Sequence, residues 1–424
     1  MAIAAFPTVA EVAASTPPER DRAIDVIRIT ALVGVVIGHT VMATSIIRDG
    51  VFHWENLLTA SVVFQALTWV FQIMPLFFFA GVAASAPTYG GVWGGWLLTR
   101  CTRLYRPVFY YLAFWTVALM VAHRALPVHV YEPIAGISIQ LLWFLGAYVL
   151  VLAAVPLLIR IDTAGRLCAA VAALYASVAV IDVIRINEPS WNWLGYANLA
   201  VWLVPGMFGV AYRYRLLTTS SAAILGFSML AINLALVRFG PYEPSLVGIE
   251  GQQLKNMAPP SLLLAGHAIM MCAFAIAAAP GIGRWARRPR VWWLTAIGNS
   301  GAMTLYLWHI PALLGMHLAF DLMGLPRYPG QPHFLALSIV QLVVMAVLVT
   351  ALFVALRPLE NNPLRYWDGG TVGESGVRSA TVGALLCLAG AATLASVGWG
   401  MKGLGLYCVA LMLGALVGAR SLAR

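Results

Sequence analysis

Charged side chains are scarce in this sequence. Of its 424 residues, 61% are hydrophobic and 10% are charged, whereas a soluble domain carries about 25% charged residues. A chain this poor in charge has too few polar groups to cover a water-facing surface, which excludes an ordinary soluble globular protein. The hydrophobic residues also come in blocks of about 20, the length that a helix needs to cross a bilayer. The composition therefore predicts an integral membrane protein.

Lysine is nearly absent, and the cysteines form no recognisable pattern. Lys255 and Lys402 are the only lysines among 26 basic residues, and the arginines come in short runs between the hydrophobic blocks. The net charge of +10 therefore reflects membrane topology, and we predict no nucleic-acid partner. The five cysteines are scattered, with no CxxC pair and no metal-ligand spacing. We accordingly predict no metal site and no permanently bound cofactor.

Twelve hydrophobic segments are long enough to cross the membrane as helices. They are residues 26–47, 58–86, 107–125, 138–159, 166–185, 194–212, 219–238, 260–280, 292–320, 332–356, 379–397 and 403–420. With the N-terminus in the cytoplasm, the inside segments contain 18 basic residues and the outside segments contain 7. The positive-inside rule then predicts an even number of spans, with both termini in the cytoplasm.

The predicted fold class is all-α: a polytopic transmembrane helical bundle with a ten-span core and a C-terminal two-helix hairpin. We divide the chain into a flexible cytoplasmic N-terminal tail (1–22), a ten-span domain (23–357), a cytoplasmic linker (358–378) and a transmembrane hairpin with a short tail (379–424). The N-terminal tail lacks the basic-then-apolar order of a cleaved signal peptide, so we expect it to remain. The hairpin spans carry no charged residue before Arg420, the last residue of the second span, and are interpreted as a packing element.

The first span carries ionisable groups, which are costly in a bilayer and therefore informative. Arg28 and His39 are eleven residues apart, so their side chains point the same way, about 16 Å apart along the helix. Asp25 is one turn from Arg28 and can pair with it or with Arg22. This stripe predicts a cavity, in which His39 is suited to general-base catalysis. The alternatives are that His39 only bonds to a neighbouring helix and that Arg28 only reaches lipid headgroups.

A run of arginines precedes the third predicted span. Arg100, Arg103 and Arg106 recur every three residues, so on a helix they form one ridge of positive charge. Such a ridge suits the phosphates of a nucleotide or of coenzyme A, which guanidinium groups bind through paired hydrogen bonds. Topology signalling and contact with anionic lipids would need the same arginines, so these alternatives stay open.

The ninth predicted span is dense in polar side chains. Asn299 and Tyr306 are seven residues apart and share a helix face, with His309 about 60° from Tyr306. Polar side chains this frequent in an apolar span indicate a lined cavity, although hydrogen bonds between helices would explain them as well. Trp143 in the fourth span is by itself an ordinary apolar aromatic residue.

Together these segments resemble the membrane acyltransferase 3 family of bacterial O-acyltransferases. The matching pieces are Arg28-x10-His39; Phe77-Phe78-Phe79-Ala80-Gly81; Arg100-x-x-Arg103 with Arg106-Pro107; Leu142-Trp143-Phe144-Leu145; and Asn299-Ser300 with Tyr306-Leu307-Trp308-His309. They cover roughly residues 20–360, in the order and at the spacing of the family. Many relatives have serine where Ala80 stands.

The resemblance implies that residues 23–357 form an O-acyltransferase domain in the bacterial inner membrane. Its co-substrate would be cytoplasmic acyl-CoA, most often acetyl-CoA, and its acceptor a hydroxyl of a cell-envelope carbohydrate or glycolipid. His39 would be the catalytic base, and Arg28 would hold the donor or orient the site. Donor binding would fall to Arg100, Arg103 and Arg106, and supporting or acceptor-side roles to Asp25, Trp143, Asn299, Tyr306 and His309.

Some relatives carry a fused periplasmic hydrolase-like domain, which residues 1–424 do not include, so the resemblance also admits a partner protein on the outer side. The main alternative function is a transporter or flippase of an amphipathic or sugar-linked substrate. Transporters are often built from two related halves, whereas residues 1–212 and 213–424 share no spacing of Arg, His or Gly-Pro breaks. A non-catalytic scaffold or sensor is a third alternative, but it gives no reason for the stripe from Arg28 to His39.

Overall fold

The structure of the protein is a computed structural model that describes residues 6–249 and 254–423. Its α-helices are α1 (Val9–Ala14), α2 (Arg22–Met42), α3 (Val62–Phe71), α4 (Met74–Ser85), α5 (Trp93–Ala125), α6 (Val128–Ile137), α7 (Leu142–Ala153), α8 (Val155–Leu158), α9 (Ala164–Asn187), α10 (Leu203–Arg213), α11 (Thr219–Phe239), α12 (Leu262–Trp285), α13 (Pro289–Ser300), α14 (Ala302–Leu322), α15 (Phe334–Asn361), α16 (Val377–Ser396) and α17 (Leu404–Ser421). Three 3₁₀ helices cover Leu57–Thr59, Ala86–Thr88 and Pro189–Trp202. Two strands, β1 (Ala43–Arg48) and β2 (Val51–Asn56), pair antiparallel.

Within the described residues, twelve helical segments are long and apolar enough to cross a membrane. Several combine consecutive helices, such as α3 with α4, and the last two are α16 and α17. The predicted all-α bundle of ten spans followed by a two-helix hairpin is therefore confirmed, and the protein is a multi-pass membrane protein. We call the end of the bundle at which α2 begins the basic end, and the opposite end, at which β1 and β2 lie, the strand end.

The first span begins and ends earlier than its hydropathy suggested. α2 ends at Met42 rather than at residue 47, and the chain turns into the β1–β2 hairpin. The turn residues Asp49 and Gly50 have φ angles of 52° and 77°, as a type I′ hairpin turn requires. Residues 43–48 include a threonine and two isoleucines, whose β-branched side chains favour a strand. The hairpin forms one wall of a cavity beside His39.

The third span begins well before residue 107. α5 starts at Trp93, so Arg100, Arg103 and Arg106 lie on successive turns of the helix near the basic end. Arg106 forms an ion pair with Asp368 and donates to the backbone carbonyl of Glu360 at 2.7 Å. The linker that follows α15 is thereby held against α5.

The predicted ninth span is broken. Gly301, with φ −134° and ψ 32°, separates α13 from α14, so residues 292–320 are not one continuous helix. The free N–H groups at the start of α14 are satisfied by the carboxylate of Glu360, which accepts from the backbone nitrogens of Met303 (3.3 Å) and Thr304 (2.8 Å). A carboxylate at a helix N-terminus is favoured by the helix dipole. The break therefore depends on a residue from a different helix.

Residues 6–20, which we call the N-terminal arm, lie within the tail predicted over residues 1–22 and include the short helix α1. α1 begins with a capping box between Thr8 and Glu11. The arm packs against α13, where the indole of Trp292 donates to Thr16 Oγ1 and that of Trp293 to the carbonyl of Pro7, each at 2.7 Å. These contacts order a segment whose composition alone gives no core. Residues 1–5 of the expected tail and Arg424 lie outside the described residues.

Of the two C-terminal helices, α16 packs directly on α5 and α7 of the ten-span core, and α17 packs on α16. Tyr105 and Thr393 share a buried hydrogen bond of 3.0 Å between their hydroxyls. A Cβ atom on Gly146 would lie 2.6 Å from the carbonyl oxygen of Gly390, so the two backbones meet through small residues, as is common between membrane helices. The hairpin is thus an integral part of the packed bundle.

Candidate active site

A cavity of about 750 Å³ opens at the basic end among α2, α5, α13 and the end of α15. Its charged lining residues are Arg20, Asp25, Arg28, Arg100, Arg103, Arg106 and Glu360. We call it the arginine cavity. Five of these seven side chains are guanidinium groups, so the cavity attracts anions. Residues 15–17 of the N-terminal arm also line it, which places the arm at its mouth.

Arg28 is held in place by two neighbours. It donates through Nε to Asn299 Oδ1 at 2.7 Å and approaches Asp25 Oδ1 with an Nη at 3.3 Å. The Asn299 amide in turn donates to the backbone carbonyl of Asp25 at 2.9 Å. Asp25 therefore does pair with Arg28, and α13 fixes the guanidinium from the other side. A quarter of the Arg28 side chain remains exposed, against 4% for Asp25, so the cation is oriented and still accessible.

The second partner of Asp25 is Arg20 rather than Arg22. Arg20 bonds to both carboxylate oxygens, at 2.5 and 2.8 Å, and this hydrogen bonding raises the pKa of Arg20 above its ordinary value. Arg22 instead lies over the ring of Trp292, 4.8 Å from its centroid. Because Arg20 belongs to the N-terminal arm, the same carboxylate joins the arm to the site.

The three arginines of α5 differ in how many protein partners their guanidinium groups already have. Arg106 is only 8% exposed and is paired with Asp368. Arg100 donates to the hydroxyl of Thr88 and has an Nε that is buried without a partner among the described residues. Arg103 is exposed and makes no ion pair within residues 6–249 and 254–423. A phosphate in the arginine cavity would therefore be bound by Arg100 and Arg103, with Arg106 fixing the wall.

A second cavity, of about 360 Å³, lies toward the strand end and is lined by His39, Trp143 and Tyr306. We call it the histidine cavity. His39 Nδ1 is 2.8 Å from Nε2 of His309 on α14. His309 is only 1% exposed, whereas His39 is exposed to the cavity. The two histidines predicted from different parts of the chain are thus in direct contact, and only one of them can reach a ligand.

Tyr306 and Trp143 shape the histidine cavity, and the Tyr306 hydroxyl is already bonded to the backbone. The Tyr306 hydroxyl donates to the carbonyl of Leu141 at 2.9 Å. Trp143 packs against Trp202, with the ring centroids 5.3 Å apart. Asn299, which the sequence grouped with Tyr306, lies instead in the arginine cavity, because the break at Gly301 separates the two.

An aromatic partition separates the two cavities, which have no described lining residue in common. It consists of Phe77, Phe144, Tyr148 and Tyr306. The Phe144 ring is 4.8 Å from Phe77, 5.7 Å from Tyr148 and 5.1 Å from Tyr306, measured between centroids. Phe77 and Tyr148 face the arginine cavity and Tyr306 faces the histidine cavity. The partition closes the space between cation and imidazole in this state.

Three residues of the site were not predicted from the sequence: Glu360, Tyr148 and Gln72. Glu360 was open to detection, since it is a carboxylate at the end of a long apolar span. The position of the Tyr148 ring depends on Gly81, because a Cβ at residue 81 would lie 2.2 Å from the tyrosine oxygen. Gln72 lines the histidine cavity with a buried Nε2 that has no partner among the described residues. No local pattern marks Gln72 or Tyr148.

Metal-ligating side chains do not gather in this site. Within residues 6–249 and 254–423, no group of three His, Cys, Asp or Glu side chains is arranged to hold a metal ion. The buried histidines contact other protein groups: His267 meets the carbonyl of Gln72 at 2.9 Å, and His317 meets Ser45 Oγ at 2.8 Å. What the site offers is a cation-rich cavity, a partition and one accessible imidazole.

Comparison with known proteins gives one family. Residues 21–357 of the chain match the model of the acyltransferase 3 family, described as an acyltransferase domain. No curated protein and no solved structure matches the chain. The matched residues include α2, the α5 arginines, the aromatic partition and both histidines. The chain therefore belongs to the acyltransferase 3 family and is a membrane acyltransferase.

Proposed function

We propose that this protein transfers an acyl group, most often acetyl, from cytoplasmic acyl-CoA to a hydroxyl of a cell-envelope carbohydrate or glycolipid, with His39 as general base. The observation that carries the proposal is the arrangement of the two cavities along α2. The arginine cavity presents oriented guanidinium groups, and the histidine cavity presents an accessible imidazole. Acyl-CoA requires both, because its phosphates are negatively charged and its thioester carbonyl lies at the far end of the molecule.

The donor's phosphates are assigned to the arginine cavity. Its volume of about 750 Å³ lies within the usual range for small-molecule sites, about 300–1,000 Å³. Arg100 and Arg103 supply guanidinium groups suited to bidentate phosphate contacts. We assign the basic end to the cytoplasm of a bacterial inner membrane because the predicted inside segments hold 18 of the basic residues. Both described ends of the chain would then be cytoplasmic.

The thioester must then cross the aromatic partition. Arg28 and His39 are about 16 Å apart along α2, a distance that the extended pantetheine arm of coenzyme A can span. Phe77 and Phe144 contact each other edge to face, so a rotation of either ring would open a narrow apolar passage. A thin arm fits such a passage, whereas the nucleotide stays in the arginine cavity.

The chemistry is a direct acyl transfer. The acceptor hydroxyl attacks the thioester carbonyl carbon while His39 takes the hydroxyl proton. The C–S bond then breaks, and the thiolate receives that proton from His39, so coenzyme A leaves as a thiol and the acyl group remains as an ester. The reaction is balanced in protons, and His39 returns to its neutral form.

The histidine cavity supports a polar acceptor with an apolar face. Its polar lining residues include Glu55, Asn56, Gln72 and Gln140, and the buried amide nitrogen of Gln72 has no partner among the described residues. Trp54, which like Glu55 and Asn56 belongs to β2, also lines this cavity. Amide and carboxylate groups beside indole rings suit the hydroxyls and the apolar face of a sugar.

The decisive experiment measures thiol release from acetyl-CoA by the purified protein in nanodiscs, with and without envelope sugars and glycolipids. His39→Gln is compared with His129→Gln, a substitution of an exposed histidine in α6. We expect acceptor-dependent thiol release that is lost in His39→Gln and kept in His129→Gln. Equal activity in both variants would remove His39 from catalysis. Absence of acetyl-CoA binding and turnover in the wild type would favour a transport function.

A further inference from the structure

We infer that His309 is the positioning partner of His39 and fixes it as the Nδ1–H tautomer, with the basic lone pair of Nε2 facing the histidine cavity. The inference rests on the proposed function for its catalytic meaning, but the tautomer itself is a property of the protein. It identifies which nitrogen acts as the base and why a second, inaccessible histidine lies beside it.

The contact between the two rings is an in-plane hydrogen bond. The planes differ by 21° and the centroids are 5.1 Å apart, while the joined nitrogens are 2.8 Å apart. The distance between the centroids is longer than the N–N distance by about one ring radius for each of the two rings. Both nitrogens therefore lie on the line that joins the centroids, and this line runs in the plane of each ring. One nitrogen must therefore donate a proton and the other accept it.

The backbone of α14 decides which one donates. Nδ1 of His309 is 3.3 Å from the carbonyl oxygen of Leu305, and a carbonyl oxygen can only accept. His309 therefore carries its proton on Nδ1, so in the neutral ring Nε2 is the acceptor. The proton between the rings then belongs to Nδ1 of His39. The reverse arrangement would set an unprotonated His309 Nδ1 against the Leu305 oxygen.

The remaining nitrogen of His39 is the reactive one. Nε2 has no protein partner among the described residues, and His39 is a wall residue of the histidine cavity. His309 is 1% exposed and cannot touch an acceptor, so it is a positioning residue. A buried neighbour that fixes the tautomer and direction of a catalytic imidazole is the arrangement by which triads set their base. Here a neutral imidazole takes the place of the carboxylate.

The test compares His309→Leu with His309→Gln, because the glutamine oxygen can still accept from His39 Nδ1–H and leucine cannot. His317→Gln is the matched control, since His317 is also buried in α14 but contacts Ser45. We expect kcat to fall about 100-fold in His309→Leu, with the KM for acetyl-CoA nearly unchanged, and to fall less than about tenfold in His309→Gln and His317→Gln. Equal losses in the leucine and glutamine variants, or no loss in either, would overturn the inference.

The tautomer is read independently by ¹⁵N-histidine solid-state NMR of the wild-type protein in bilayers, with His39→Gln used to identify the His39 signals. The expected result is a protonated Nδ1 and an unprotonated Nε2 on His39. A protonated Nε2 would overturn the assignment even if the enzyme is active. If the wild type shows no acyl transfer with any acceptor, the proposed function fails while this spectrum still decides the tautomer.

Discussion

Gly81→Ala tests whether the aromatic partition is as tightly packed as the structure indicates. The new Cβ would lie 2.2 Å from the Tyr148 oxygen and 2.5 Å from Cε2, well inside normal contact. The tyrosine ring has little room to retreat, because the rings of Phe77 and Phe78 are each 5.8 Å away and that of Phe144 is 5.7 Å away. It can move only toward the arginine cavity, which it lines.

Overpacking of a protein core typically lowers the unfolding free energy by about 1–3 kcal/mol, and we expect a loss of this size for Gly81→Ala. Because the displaced ring narrows the donor's cavity, we also expect a higher KM for acyl-CoA. The assay is unfolding in detergent together with thiol-release kinetics. Gly315→Ala is the matched control. Gly315 lies in α14, and no atom of another described residue outside its own helical turn lies within 4 Å of the new Cβ, so the change should be neutral or stabilising by up to about 1 kcal/mol.

Combining Gly81→Ala with Tyr148→Ala removes the atoms that clash. The double variant should therefore lose less stability than the two single changes together, because residues in contact do not act independently. If Gly81→Ala is as stable and as active as Gly315→Ala, the close packing of α4 against α7 is refuted. A strictly additive double variant would refute the specific contact with Tyr148.

Two further changes test the walls of the arginine cavity. Asp368→Asn should lower the unfolding free energy by about 3 kcal/mol, because it leaves Arg106 buried without its counter-charge. The control Asp162→Asn removes an exposed ion pair and should lower the unfolding free energy by less than about 1 kcal/mol. Equal losses in the two variants would refute the difference between the buried and the exposed pair. Asn299→Leu should release the Arg28 side chain and raise the KM for acyl-CoA about tenfold, with little change in kcat. A tenfold increase corresponds to the loss of about one hydrogen bond to a charged group. A kcat loss at unchanged KM would place Arg28 in the chemical step instead.

The sequence anticipated the elements of the site better than their grouping. Helical periodicity placed Arg28 and His39 on one face of α2, and these residues line successive cavities. The same periodicity placed Asn299 beside Tyr306, which was wrong because it assumed an unbroken helix. The break at Gly301 is stabilised by Glu360 of α15, a partner that no window around residue 301 contains.

The β1–β2 hairpin was also missed, although its signal was present. Asp49-Gly50 between β-branched residues is a strong hairpin pattern, but residues 43–47 are apolar enough to be counted as the end of a membrane span. Hydropathy measures only the transfer of side chains out of water and does not distinguish a strand from a helix. The N-terminal arm differs in kind: its order comes from contacts with Trp292 and Trp293, which lie far away in the sequence.

By itself the sequence determined that this chain crosses the membrane many times and which segments do so. Each span is a local property, because about 20 apolar residues suffice to make a helix stable in hydrocarbon. Only the tertiary structure decided that His39 meets His309, 270 residues away, and that aromatic rings close the path between the two cavities. Such contacts depend on how helices pack side by side, and lipid gives no hydrophobic driving force that would fix this packing from composition alone.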